Sequence, residues 1–234
     1  MATLRLLLVG HGRMGRLVGS LAGQYDCEVA GIVDPESPDH SGAIDDERCK
    51  GVDVAIDFTT ASAVLPNVSA LARHGVRIVL GTTGWQAHDA ELRAVVASTR
   101  AGIVAAPNFS TGVVLFEAIV ARAAALLSEQ KEFGAYLHEV HHALKKDAPS
   151  GTALLLKNAM ENAGYGLPID VAASRVGHVP GTHTIGFDGP SESITLTHTA
   201  RDRAAFARGA LVAARWIAGR SGWYTMHDVL GIEE

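Results

Sequence analysis

The sequence predicts an α/β protein: an N-terminal doubly wound parallel sheet followed by a smaller α+β domain with a mixed or antiparallel sheet. Three observations carry the expectation. Short apolar runs alternate with helical periodicity over the first hundred residues. A glycine turn, Gly10–Gly15, joins the first run to the first helix, and the alternation stops after Ser110. Strands buried on both faces read as continuous apolar runs, and repeated strand–helix succession with short links makes a parallel sheet with right-handed crossovers.

The elements follow in order. Leu4–Val9, bounded by glycine, is the first strand, and Arg13–Gln24 has helical spacing. Cys27–Val33 is a second strand ending at Asp34, and Val52–Phe58 is a third. Ala63–His74 reads as a helix, Arg77–Leu80 as a strand, Asp89–Thr99 as a helix and Gly102–Ala105 as a strand. Beyond Ser110, Val113–Ser128 is a long helical pattern and Phe133–Val140 a strand. Short strands follow at Ala172–Val176, His183–Phe187 and Glu192–Thr199, the last alternating as a half-exposed strand does. A closing helix over Ala204–Ala218 is expected to pack back on the first domain. The expected division is residues 1–108 with 204–234, against 109–203.

Composition narrows the function. A formal charge of −5 argues against a general nucleic-acid binder, because phosphate neutralisation needs a basic surface. Two cysteines without CxxC spacing fit a reducing cytoplasm and remove thiolate-zinc readings. No apolar run of about 18 residues offers a membrane span. The start, MATLRLLLVGHG, is punctuated by glycine too early for a signal peptide.

Chemistry gathers at the strand ends. Gly10-His11-Gly12-Arg13-Met14-Gly15 is a GxGxxG between a strand and a helix, and its glycines allow close approach of a pyrophosphate to the helix N-terminus. Asp34 lies 19 residues beyond Gly15, where an acid can bond adenosine ribose hydroxyls. Together these predict a Rossmann-type site for a dinucleotide. Asp34 is followed by Pro35 rather than arginine, which favours NADH over NADPH on charge, although Arg13 is available to a 2′-phosphate. Gly81-Thr82-Thr83 and Ala106-Pro107-Asn108-Phe109 leave the same sheet edge and are expected either to reach the nicotinamide end or to serve as plain turns. Asp57–Thr60 could reach the same place, or cap the next helix through Thr59, Thr60 or Ser62.

In the second domain, EVHHALKKDAPSGTALLL (139–156) crowds two histidines, two lysines and an aspartate before an apolar helix. Strand alternation puts His138, Val140 and His142 on one face and Glu139 with His141 on the other, which splits the imidazoles and speaks against a metal. Ser150 or Thr152 would cap the helix, whose free N–H groups favour an anion. A solvated basic turn and an anion-binding catalytic segment explain these residues equally well.

GHGRMG, DFTTAS, GTTGW, APNFSTGV, EVHHALKKDAPSGTAL, RVGHVPGTHTIGF and the terminal HDVLG resemble the dihydrodipicolinate reductase family, in order and over nearly the whole chain. The resemblance implies an NADH- or NADPH-dependent reductase of lysine and diaminopimelate biosynthesis acting on a small cyclic imine with two carboxylates. It implies His141 as general acid, titrating near neutrality and held protonated by nearby carboxylates, with Lys145 as its catalytic companion. Substrate contacts are implied for His142, Gly151 and Thr152, and cofactor contacts for the glycine turn, Asp34, Gly81–Thr83 and Ala106–Phe109. A homotetramer built through the second domain's sheet is implied too. Two departures stand out: the glycine loop is one residue shorter than the commoner form, and the stretch between His183 and Glu192 is abbreviated. A cofactor-binding sensor of the same architecture would need the glycine turn but not residues 141–152.

Overall fold

The structure, a computed structural model, describes residues 2–232. The chain divides into two compact units. One comprises the residues up to Thr111 together with those from Ala204 onward, and the other spans Gly112–Arg203.

The first unit is built on a six-stranded parallel sheet. Its strands are β1 (Leu4–Val9), β2 (Cys27–Val33), β3 (Val54–Asp57), β4 (Arg77–Leu80), β5 (Gly102–Ala105) and β10 (Gly222–Tyr224), in the order β10-β5-β4-β3-β1-β2. Four of these match the expected bounds to the residue. β3 and β5 are buried along their whole length and β1 everywhere but at Arg5, as strands covered on both faces should be. Helices α1 (Arg13–Leu21), α3 (Ala61–Arg73), α4 (Asp89–Ala97) and α7 (Ala204–Ile217) accompany the sheet. Leu7, Ala55, Val64, Val68, Leu71, Ile78, Leu92 and Ile103 form the core between the sheet, α3 and α4. α1 stops at Leu21, three residues short of the expected end, and continues as a 3-10 turn over Ala22–Tyr25 that closes on Asp26 with φ +51°. α7 lies against α1, where Arg208 reaches Gln24 at 2.9 Å. Its contact face is small, with Ala207, Ala210, Ala213 and Ala214 buried, and a Cβ on Gly209 would stand 1.6 Å from the Phe109 carbonyl oxygen.

Three elements went unanticipated. α2 (Asp46–Cys49) is a single turn capped by Asp45, β10 has three residues, and α8 (Met226–Leu230) is a short helix with a Thr225–Asp228 capping box. Each is too short to develop a period. β10 is fixed by its aromatics instead, since Trp223 packs on Trp85 at 5.9 Å beneath the Arg93 guanidinium.

The second unit is a four-stranded mixed sheet, β7-β6-β8-β9, formed by β6 (Gly134–His141), β7 (Ile169–Arg175), β8 (Thr182–Asp188) and β9 (Ser193–Thr199). β6 and β7 run parallel, and β6–β8 and β8–β9 are antiparallel. α5 (Thr111–Leu127) and α6 (Gly151–Asn162) pack on one face through Phe116, Val120, Leu156 and Met160 against Leu137, Ile185 and Phe187. The other face, which carries Tyr136, is open, and Tyr136 is exposed there. Among the described residues no helix is long and apolar enough to cross a membrane.

Candidate active site

The glycine turn in the first unit is dictated by space. Gly10 has φ +90°, and a Cβ there would lie 2.4 Å from the Phe58 carbonyl oxygen. A Cβ on Gly15 would lie 2.0 Å from the Gly10 carbonyl oxygen, so helix and strand close only with glycine at both places. Gly12 is the N-cap of α1, offers no side chain to cap it, and faces open space. The first-turn amides, beginning at exposed Arg13 and half-buried Met14, are left for an anion. Asp34 anchors the turn, since its carboxylate accepts from the backbone N–H of His11 at 2.6 Å and of Glu36 at 2.9 Å. Each oxygen keeps a lone pair for a further donor. His11 and His40 stack edge to face beside it.

The neighbouring loops are tied to one another. Asp57, fully buried at the end of β3, accepts from Thr59 N–H, Thr59 Oγ1, Thr82 Oγ1 and Asn67 Nδ2 at 2.7–3.1 Å. Burial raises its carboxyl above the usual range despite those donors. Thr82 is therefore turned inward as a brace, while Thr83 is exposed. A Cβ on Gly81 would lie 2.1 Å from the Phe58 ring. Thr60 is the N-cap of α3 but makes no side-chain cap bond; its hydroxyl lies 3.4 Å from Ser62 Oγ, while Thr59 is engaged by Asp57. After β5, Ala106 and Phe109 are buried, Pro107 is exposed, and half-buried Asn108 accepts from Ser110 N–H at 2.8 Å.

The second unit holds the denser chemistry. Burial along β6 alternates through Ala135, Leu137, Glu139 and His141, so Glu139 and His141 share the inner face as alternation requires. His138 is on the other face, paired with Ser174 at 3.0 Å. The antiparallel register sets His183 of β8 opposite Glu139, and the parallel register sets Arg175 of β7 beside His141. Glu139 Oε1 accepts from Ser150 N–H at 2.9 Å and Arg175 Nη2 at 2.8 Å. Its Oε2 stands 3.3 Å from His141 Nδ1 and 3.5 Å from His183 Nε2. Ser150 Oγ meets His183 Nε2 at 3.2 Å and caps α6 by accepting from Ala153 N–H. Gly151 and Thr152 follow as the first helical residues, with no intrahelical acceptor for their N–H groups. Lys145 is joined to Asp147 at 2.8 and 2.9 Å, and half-buried His142 accepts the Lys145 N–H at its carbonyl.

One oxygen of Glu139 and the two imidazoles lie close enough to surround a metal ion. Arg175 already neutralises that carboxylate, which explains its ionisation without a cation. Burial pushes Glu139 up, but Ser150, Arg175 and His141 outweigh it and hold the carboxyl below its ordinary value. At His141 the surroundings run against the expectation that nearby carboxylates favour the imidazolium. Burial, Lys145 and Arg175 together outweigh Glu139 and Asp147 and lower its pKa. His183 is carried down to about 4, chiefly by burial and the neighbouring His141. Glu139, Arg175 and His183 were not foreseen as site residues. The available signal was a histidine in phase with Ile185 and Phe187 on the buried face of β8.

The family model described as dihydrodipicolinate reductase, N-terminus, matches residues 4–109, and that for the C-terminus matches 112–230. A 4-hydroxy-tetrahydrodipicolinate reductase from Zymomonas mobilis is 38% identical over 99% of this chain and 98% of its own. One from Christiangramia forsetii is 32% identical over 97% and 98%. The structure of a dipicolinate-bound dihydrodipicolinate reductase from Paenisporosarcina sp. TG-14 has the same fold, with a TM-score of 0.79 at 23% identity over 96% of this chain and 98% of that one. With both halves matched, the chain belongs to the dihydrodipicolinate reductase family, oxidoreductases of lysine and diaminopimelate biosynthesis.

Proposed function

We propose that this chain reduces 4-hydroxy-tetrahydrodipicolinate to tetrahydrodipicolinate with NADH or NADPH, His141 donating the proton. The observation that carries the reading is a buried carboxylate–imidazole pair, Glu139 and His141, beside the uncovered start of α6. The first unit fits a dinucleotide: glycine is sterically required at 10 and 15, the α1 amides have no cap, and Asp34 presents acceptors at the end of β2. The Asp34 charge favours NADH, because a 2′-phosphate would face a carboxylate. Thr83, Pro107 and Asn108 are the loop positions open to a ligand, whereas Thr82 and Phe109 support from within.

Loss of the 4-hydroxyl as water leaves a conjugated imine. Held by the glycine turn, the α1 amides and Asp34, a reduced nicotinamide would supply the hydride that ring carbon four needs. The electron pair displaced along the ring must then be quenched by a proton, for which His141 Nε2–H is the source. A dicarboxylate entering this site brings negative charge that opposes Lys145 and Arg175, and so raises the depressed His141 into its protonated form. The Gly151 and Thr152 amides and His142 bind one carboxylate, and Lys145 exchanges Asp147 for it while countering the developing charge. The chain is expected in the cytoplasm and as a homotetramer, for which the open sheet face at Tyr136 is available.

The test couples purified protein to dihydrodipicolinate synthase and follows nicotinamide oxidation with NADH and NADPH compared. Turnover that requires the synthase, faster with NADH, is expected. Tight cofactor binding without turnover would make the chain a cofactor-binding sensor instead.

A further inference from the structure

The His141 imidazole has two nitrogens in unlike surroundings. Nδ1 faces the Glu139 carboxylate at 3.3 Å, and Nε2 lies beside Gly181, where a Cβ would come within 2.9 Å of it. Glu139 is held rigidly, fully buried with one oxygen bound by Ser150 N–H and Arg175 Nη2. Its other oxygen and His141 Nδ1 are buried without a well-aligned hydrogen bond. Such a pair tightens when the imidazole gains charge, as catalytic hydrogen bonds do on forming the reactive complex.

We propose that Glu139 is a positioning residue: it holds a proton on His141 Nδ1, so that Nε2, given room by Gly181, is the nitrogen that delivers a proton to the substrate. The inference rests on His141 being the acid. A carboxylate can only accept, so the neutral imidazole beside it is the Nδ1–H tautomer. In the charged form both nitrogens carry protons. The Nε2–H bond breaks as a C–H bond forms on the substrate, and the neutral Nδ1–H imidazole remains on Glu139. Recharging takes a proton from solvent at Nε2. Because Oε1 is committed to Ser150 and Arg175, Glu139 cannot rotate away, and the cap of α6 is tied to the acid's orientation through the same side chain.

The groups facing His141 are Glu139 on its own strand, Arg175 on β7, His183 on β8 with His198 behind it, and Lys145 with Asp147 on the loop before α6. Of these, Glu139 is the first to favour the imidazolium. Activity that needs charged His141 is lost as pH rises through its pKa. In Glu139→Gln this alkaline limb should move acidward by about 1–3 pH units, the effect of removing an adjacent opposite charge. Glu139→Asp, which keeps the charge, should lose turnover with the limb little moved. Merely structural damage would lower turnover or yield while leaving the limb in place.

The deciding experiment is long-range ¹⁵N–¹H NMR of His141 in the wild-type protein above its pKa, with the pH profile of Glu139→Gln beside it. An Nδ1–H tautomer together with the shifted limb is expected. An Nε2–H tautomer, or an unmoved limb in a folded variant, would overturn the proposal. If Glu139→Gln does not fold, the wild-type tautomer decides alone. Absence of wild-type turnover would instead fail the proposed function and leave the tautomer result intact.

Discussion

Replacing His183 by glutamine isolates what a buried neutral imidazole does to stability. In the unfolded chain this histidine takes up a proton near pH 6.5, whereas in the folded protein it resists until about 4, held down by burial and His141. Between those values the unfolded state binds more protons, so folding stability rises with pH and is lost as pH falls. One pKa unit is worth about 1.4 kcal/mol, which puts the loss from this residue at about 2.5 kcal/mol by pH 4.5 and about 3 kcal/mol when complete. Glutamine retains a donor and an acceptor for Ser150 Oγ and Glu139 Oε2 without titrating. Urea unfolding free energies of the two proteins should therefore converge as pH is lowered from 7 to 4.5, by about the same 2.5 kcal/mol. Parallel pH dependence in wild type and variant would mean that His183 is not held neutral, and that the tight packing of His141, Glu139 and His183 has been misjudged.

Lys145→Ala should leave unfolding stability within about 0.5 kcal/mol, because its partner Asp147 is largely exposed and such pairs contribute little. The same variant should lose both kcat and substrate affinity; unchanged steady-state kinetics would remove Lys145 from the site. Gly209→Ala drives a methyl into the Phe109 carbonyl, so despite better helix propensity it should destabilise by about 1–3 kcal/mol, read as a lower melting temperature. A stabilised variant would contradict the close packing of α7. Asp34→Asn should weaken NADH binding and narrow the gap to NADPH in fluorescence titrations; an unaltered preference would show that Asp34 serves only to hold His11 and Glu36.

The first unit was largely legible because its signals are local. Each apolar run lies between turn residues, and the glycine requirement at 10 and 15 follows from a strand–helix junction that sequence spacing displays. Legibility failed where an element was too short to repeat its period, as in α2 and β10, or where a side chain took unexpected work. Thr82 looks like a loop contact and is in fact a brace on Asp57. In the second unit, alternation correctly placed Glu139 with His141 and away from His138. It could not supply His183 or Arg175, which reach the same carboxylate from two other strands through a register fixed only by the folded sheet. The lowering of the His141 pKa is out of reach of the sequence for a related reason. Its own segment supplies Glu139, Lys145 and Asp147, but the burial that weighs most, and Arg175 from β7, come only with the folded sheet.

The central claim is that His141 delivers a proton to a bound dicarboxylate, and His141→Gln tests it most directly. In the synthase-coupled assay the variant's kcat should fall by about 10²–10⁴, the usual contribution of a positioned acid, while dipicolinate binding measured by calorimetry changes by less than about tenfold. Wild-type kcat in the variant, or a loss of dipicolinate binding that matches the loss of kcat, would contradict the account.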